Sequence, residues 1–68
     1  MTIELNGERV ELADGTSVAA AVERLGAGGD RRGLAVAVDG EVVPRSEWEG
    51  TTLRDGQRVE VLGAIQGG

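Results

Sequence analysis

The sequence ends in Gly67-Gly68, and these two residues carry its clearest chemical possibility. Glycine has no Cβ, so a diglycine end is thin and adopts backbone angles closed to other residues. Such a tail can enter a narrow channel and deliver its terminal carboxylate to a distant reactive centre. A glycine-rich terminus is also an ordinary frayed end. Whether the tail is functional therefore depends on the elements that would position it.

The composition excludes most chemistry by side chains. The 68 residues include no cysteine and no histidine, and all seven basic residues are arginines. The chain thus has no thiol, no imidazole base or ligand, and no lysine amine for Schiff-base chemistry. We expect a protein that is not an enzyme and that binds no metal or cofactor of its own.

The formal net charge of −5 argues against a nucleic-acid or anionic-membrane partner. No apolar run approaches the ~20 residues of a membrane span. The N-terminus lacks the basic and hydrophobic regions of a signal peptide. We expect a cytoplasmic protein.

The first half of the chain predicts a hairpin followed by a helix. Two alternating segments, 2–6 and 9–12, flank Asn6-Gly7, the dipeptide best suited to a type I′ turn, and the second segment would bury Val10 and Leu12. Ser17, with Thr16, supplies a hydroxyl cap for a helix over 18–25. Its apolar residues recur at helical spacing and predict one buried stripe: Val18, Ala21, Val22 and Leu25.

The second half predicts three short strands. A glycine-rich loop over 27–33 comes first; phosphate binding there is a weaker alternative, because no strand precedes it and no P-loop lysine follows. Strands are predicted at 34–38, at 41–43 before Pro44, and at 59–62. Between the last two, Ser46 and Glu49 fit a capping box for one helical turn.

This order, ββαβββ, predicts an α+β protein with the β-grasp, or ubiquitin-like, fold. A mixed sheet of about four to five strands would pack on the single helix. The last strand would lie centrally, parallel to the first. Residues 1–64 would form the β-grasp domain, and residues 65–68 a flexible C-terminal diglycine tail.

Three segments of the sequence form a recognisable set: 36–48, with its Val-Pro-Arg-Ser-x-Trp run, 53–61, and the final Gly67-Gly68. Together they resemble the thiamine-biosynthesis sulfur carrier proteins, which are related to the molybdopterin-synthase small subunit. The resemblance covers essentially the whole chain. Gln57 departs from it, since these proteins often carry an acidic residue after the Asp-Gly turn. That change lies in a turn and leaves the resemblance intact.

The resemblance implies that the chain stores sulfur on its own C-terminus. An adenylyltransferase of the ubiquitin-activating type, using ATP and magnesium, would adenylate the Gly68 carboxylate. A cysteine desulfurase or sulfur relay protein would then leave a thiocarboxylate, which thiazole synthase would consume. Gly67, Gln66 and Ile65 would give the tail access to the partner active site.

Other residues have a structural interpretation beside a functional one. Leu62 and Ala64 would lie on the sheet face opposite the helix, near Ala35 and Ala37, as a docking patch or as scattered surface residues. Arg45 would guide docking or be merely solvated. Trp48 is interpreted as a half-buried anchor. Glu47 and Glu49 diverge on a helix and so form no catalytic pair.

Alternative functions remain open at this point. The chain would be a sulfur carrier for molybdopterin, cysteine or tRNA thiolation, a ubiquitin-like tag joined through Gly68, or an interaction module whose glycine end is incidental. Sulfur uptake at Gly68 separates the carriers from the last two.

Overall fold

A computed structural model of the chain describes residues 1–24 and 33–63. The described residues form a five-stranded sheet, one α-helix and one 3-10 helix. The strands are β1 (Thr2–Leu5), β2 (Glu8–Glu11), β3 (Leu34–Val38), β4 (Glu41–Val43) and β5 (Arg58–Gly63). The helix α1 spans Val18–Arg24, and the 3-10 helix spans Arg45–Glu47.

The sheet has the order β2-β1-β5-β3-β4, which confirms the β-grasp prediction. Strand β5 lies in the centre, parallel to β1 and antiparallel to β3. The two outer pairs, β1–β2 and β3–β4, are antiparallel hairpins. Because the last strand pairs with both hairpins, it joins the two halves of the chain into one sheet.

The local patterns produce the elements for the expected reasons. Asn6 and Gly7 have φ angles of 50° and 86°, as a type I′ turn requires. The helix begins at Val18, where the Ala20 N–H donates to the Ser17 hydroxyl at 3.1 Å, so the predicted cap is confirmed. The predicted helix end at Leu25 lies outside the described residues.

One apolar core lies between the sheet and α1. It includes the helix stripe Val18, Ala21 and Val22 and the inward side chains of β5, Val59 and Val61. Val10 is only half-buried, although the alternation predicts a buried side chain, because β2 is an edge strand of the sheet. The other buried apolar residues are Ile3, Leu5, Leu12, Val36, Val38, Trp48 and Leu53.

The capping-box prediction at Ser46 is wrong. Ser46 lies inside the 3-10 helix, and the residue before that helix is Pro44, which forms no side-chain capping bond. The Glu47 N–H donates to the Pro44 carbonyl at 2.8 Å, a three-residue spacing. Pro44 fixes its own φ at −60° with an extended ψ of 144°, so the turn begins at Pro44, earlier in the chain than the hydroxyl of Ser46 suggested.

Several predictions concern residues outside the described ranges. They include the loop over 27–32, Ala64, the tail 65–68 and the boundary between domain and tail after residue 64, which all stay predictions. None of the helices in the described ranges has the length and apolar character of a membrane span.

Candidate functional site

The candidate site is the end of β5, because this strand leads along the chain to Gly67-Gly68. Val59 is fully buried and Val61 is 8% exposed, so two side chains fix the strand in the core. The strand also has a hydrogen-bonded neighbour on either side. The tail therefore follows a strand that lies at the centre of the sheet.

The start of β5 is fixed on the β3 side by Asp39, which lies in the β3–β4 turn. The Arg58 N–H donates to the Asp39 carboxylate at 3.0 Å, and the Asp39 N–H donates to the Arg58 carbonyl at 2.8 Å. The Gln57 side-chain amide donates to the second carboxylate oxygen at 3.3 Å. One turn residue thus satisfies both backbone groups of the first residue of β5.

The start of β5 is fixed on the β1 side by backbone bonds and one carboxylate. The Thr2 N–H donates to the Asp55 carboxylate at 2.7 Å, and the Gly56 N–H donates to the Thr2 carbonyl at 2.8 Å. The Glu4 N–H then donates to the Gln57 carbonyl at 2.9 Å. The Asp55-Gly56 turn is therefore tied to β1 before β5 begins.

The end of β5 is fixed by the side chain of Asn6. The Val61 N–H donates to the Asn6 Oδ1 at 2.8 Å, and the Asn6 Nδ2 donates to the Val61 carbonyl at 3.2 Å. On the other side, the ladder with β3 continues to the end of the strand, with Gly63 opposite Leu34. The sequence pattern assigned Asn6 a turn only, and it missed this second contact.

The sheet face opposite the helix carries several apolar residues, and Leu62 lies there beside Ala35, as the strand alternation predicted. We call the residues Ala35, Ala37, Val42 and Leu62 the open apolar patch. Leu62 is 62% exposed and is paired with Ala35, while Val42 is 73% exposed and is paired with Ala37. Paired residues share a face of a sheet, so the four side chains lie together. The sequence pattern had not singled out Val42.

Charged residues border the open apolar patch within the same sheet face. Glu60 is paired with Ala37, and on the next strands Glu4 is paired with Arg9. This mixture of an apolar centre and a charged border is typical of a surface that binds another protein. The patch lies directly beside the end of β5.

Arg45 lies in another part of the structure. It begins the 3-10 helix after β4, and its guanidinium carbon lies 5.9 Å from the centre of the Trp48 ring. Trp48 is only 3% exposed, more deeply buried than the predicted half-buried anchor, and its indole N–H donates to the Val43 carbonyl at 2.9 Å. Because β3 separates β4 from β5, Arg45 does not lie beside Leu62.

Among the residues of ranges 1–24 and 33–63, no group of three or more acidic, histidine or cysteine side chains is arranged to hold a metal ion. The candidate functional features of this part of the chain are the end of β5, which is bonded to Asn6 and β3, and an apolar surface beside it. Such an arrangement can present a tail to a partner.

Comparisons with known proteins identify the family of the chain. The model of the ThiS family matches residues 3–68. A crystal structure of a thiamine biosynthesis protein (ThiS) from Geobacter metallireducens is 28% identical, with all of both chains covered and a TM-score of 0.82. A solution structure of a thiamine biosynthesis protein from the same organism is 30% identical, with a TM-score of 0.79, and the match covers all of this chain and 88% of that one.

A search of the curated proteins found no match. The family match nevertheless spans nearly the whole chain, including the diglycine end, and the two structural matches share the β-grasp sheet over the full length. The chain therefore belongs to the ThiS family and is a ubiquitin-like sulfur carrier of thiamine biosynthesis.

Proposed function

We propose that the chain carries sulfur on the carboxyl carbon of Gly68 and donates it for the thiazole ring of thiamine. The observation that supports this most directly is the path of β5. The strand is central, is buried at Val59 and Val61, and leads to Gly67-Gly68, where the family match also ends. A carrier of this kind needs a rigid body with a thin end, since partner enzymes supply the reactivity.

The chemistry begins with activation, because a carboxylate is a poor electrophile until one of its oxygens becomes a good leaving group. An adenylyltransferase of the ubiquitin-activating type, with ATP and magnesium, joins the Gly68 carboxylate to AMP and releases pyrophosphate. A sulfur nucleophile from a cysteine desulfurase or sulfur relay protein then attacks the acyl carbon. A C–S bond forms, the bond to the AMP oxygen breaks, and AMP leaves.

The product of this exchange is a thiocarboxylate. Where the donor sulfur is a persulfide, a thiol reduces the remaining S–S bond and leaves the sulfur on Gly68. Thiocarboxylates are largely ionised at neutral pH and are strong nucleophiles, so thiazole synthase can take the sulfur directly. None of these steps requires a side chain of this protein to act as acid, base or nucleophile.

We propose the open apolar patch as the surface that docks on the activating enzyme. Leu62 lies one residue before Gly63 at the end of β5, so a partner bound there also lies next to the tail. Ala64 extends this surface along the sequence, and Ile65, Gln66 and Gly67 bring Gly68 into the partner active site. Arg45, on the far side of β3, is a separate candidate contact.

Intact-mass spectrometry tests the proposal. Wild-type protein is incubated with ATP, magnesium, its cognate adenylyltransferase and a cysteine desulfurase with cysteine. The expected mass increase equals the replacement of one oxygen by sulfur, and fragmentation places it at Gly68. Loss of this increment on addition of thiazole synthase and its substrates assigns the pathway.

Three results would contradict all or part of the proposal. Protein that gains no sulfur with the active cognate partners would refute the carrier mechanism, and attachment of Gly68 to lysines of other proteins would indicate a ubiquitin-like tag. Sulfur uptake followed by transfer only to a molybdopterin, cysteine or tRNA pathway would keep the carrier and reject the thiazole assignment.

A further inference from the structure

The geometry points to Asn6 as a positioning residue, whose side-chain amide sets the direction in which the tail leaves β5. This inference rests on the proposed function, because it concerns how the Gly68 carboxylate reaches the activating centre. The observation behind it is where the parallel ladder between β1 and β5 ends.

The backbone ladder stops one step before Val61. Its last register pair is Leu5 with Val59, and its last bond runs from the Asn6 N–H to the Val59 carbonyl at 2.9 Å. In a continued parallel ladder, the Asn6 carbonyl would next accept from the Val61 N–H. The Asn6 backbone instead adopts a φ of 50° and turns into the hairpin.

The side chain of Asn6 replaces the missing peptide groups. Its Oδ1 accepts from the Val61 N–H at 2.8 Å, as the next carbonyl of β1 would. Its Nδ2 donates to the Val61 carbonyl at 3.2 Å, as the next N–H of β1 would. A carboxamide has the same donor and acceptor as a peptide unit, so one side chain extends the ladder past the turn.

Within the described residues, Asn6 is the last group on the β1 side that holds β5. Leu62 and Gly63 are paired only with β3, through Ala35 and Leu34. Without the Asn6 bonds, β5 would be held on one side from Val61 onward, and its end would be free to swing away from β1. Asn6 thus determines how far along β5 the strand is held on both sides.

The consequence for the reaction is geometric. Gly68 lies seven residues beyond Val61, a distance of at most about 25 Å when the chain is extended. When a partner channel holds the tail extended, a change in direction at its base would displace the carboxylate by several ångströms. Because reaction rates depend steeply on the placement of the reacting group, docked complexes with a loose base would react more slowly without binding more weakly.

The test compares Asn6→Gly with Asp39→Gly. Both residues occupy the first position of an Asx-Gly turn with positive φ, and glycine keeps that conformation. Both substitutions also remove side-chain bonds to the backbone of β5, at Val61 in one case and at Arg58 in the other. The Asp39 variant therefore controls for a general loss of stability.

The measurement is carrier-dependent release of pyrophosphate from ATP by the cognate adenylyltransferase, at a temperature where both variants are fully folded. For Asn6→Gly we expect kcat to fall about tenfold while KM changes less than about twofold. For Asp39→Gly we expect both values to stay within about twofold of wild type. Faster exchange of the Val61 amide hydrogen in Asn6→Gly checks that the base has loosened.

Equal kcat values for Asn6→Gly and wild type would overturn the inference, and so would equal losses in the two variants. Either result would leave the proposed function intact, because wild-type protein still reacts. Failure of the proposed function would appear differently, as a wild-type protein that the activating enzyme cannot adenylate.

Discussion

The two hairpin turns beside β5 have the same backbone geometry but hold opposite ends of that strand. The pair Asn6-Gly7 has φ angles of 50° and 86°, and the pair Asp39-Gly40 has 53° and 86°. The first turn bonds to Val61, near the end of β5, and the second bonds to Arg58, at its start. Two turns of similar sequence therefore form side-chain hydrogen bonds to different positions along one strand.

The difference explains why one turn carries an amide and the other a carboxylate. At the start of β5, the Asp39 backbone N–H supplies the donor, so its side chain only accepts, from Arg58 and Gln57. At the end of β5, the Asn6 backbone N–H is already bonded to Val59, so its side chain must both donate and accept. The backbone groups of β5 that the turn's own backbone does not bond therefore determine whether an amide or a carboxylate is suited to the turn.

The largest expected effect concerns the end of β5 and the tail beyond it. Deletion of Gly67 and Gly68 should abolish sulfur uptake in the intact-mass assay, because the carboxylate no longer reaches the activating centre. The melting temperature should stay unchanged, since two glycines have no side chains to bury. The shortened protein should also compete with wild type for the adenylyltransferase. Sulfur uptake by the shortened protein would contradict the assignment of Gly68.

The next effect is a loss in the free energy of unfolding, which should be larger at the start of β5 than near its end because the start is more deeply buried. Val59→Ala should lower the free energy of unfolding by about 2–3 kcal/mol, because it leaves a cavity at a fully buried site. Val61→Ala should lower it by only about 1–2 kcal/mol, because Val61 is 8% exposed. Urea denaturation measures both values.

The valine pair also tests whether the Asn6 contact acts on the backbone. Both alanine variants keep the Val61 N–H and carbonyl in place, so kcat for adenylation should match wild type below the melting temperature. If kcat falls in proportion to the loss in the free energy of unfolding across the two valine variants and Asn6→Gly, the Asn6 contact has no effect on adenylation beyond its effect on stability.

Sequence patterns predicted the parts of this structure that depend on neighbours along the chain. The Asn6-Gly7 turn, the Ser17 cap and the helix stripe each follow from a few adjacent residues. The position of β5 followed from the element order and the rules of connection. The diglycine end was singled out from the residue types alone, whereas the sulfur-carrying role of Gly68 came from the resemblance to a family and remains a prediction.

The patterns failed where a contact depends on distant residues or on competing local geometry. The bond between Asn6 and Val61 joins residues 55 positions apart, and it exists only because Leu5 is in register with Val59. A hydroxyl and a carboxylate at the right spacing indicated a cap at Ser46, but the fixed φ of Pro44 started the turn earlier.

A smaller effect is expected at the open apolar patch beside the end of β5. Leu62→Glu should raise KM for the adenylyltransferase about tenfold, because it places a charge in a contact that excludes water. The free energy of unfolding should change by less than about 0.5 kcal/mol, since Leu62 is 62% exposed. Leu62→Gln is the matched neutral variant and should have an intermediate KM. An unchanged KM in both variants would remove the patch from the docking surface.

The smallest effect concerns Gln57 at the start of β5, the position where the resemblance led us to expect an acidic residue. Its amide nitrogen donates to Asp39 at 3.3 Å, and its amide oxygen accepts from the Arg54 N–H at 2.8 Å. Gln57→Glu keeps the acceptor but places a second carboxylate beside Asp39. We expect a loss of about 0.5–1 kcal/mol in the free energy of unfolding, because the contact between the two side chains is exposed to solvent, which weakens the repulsion.

Salt distinguishes this repulsion from the loss of a hydrogen bond. The deficit of Gln57→Glu should shrink in 1 M salt, where the screening length falls to about 3 Å, whereas the deficit of Gln57→Ala should not. Denaturation at low and high salt measures both. If Gln57→Glu is as stable as wild type at low salt, the Gln57 amide is not what holds Asp39 at the start of β5. Adenylation should proceed normally in either case, because this contact lies at the opposite end of β5 from the tail.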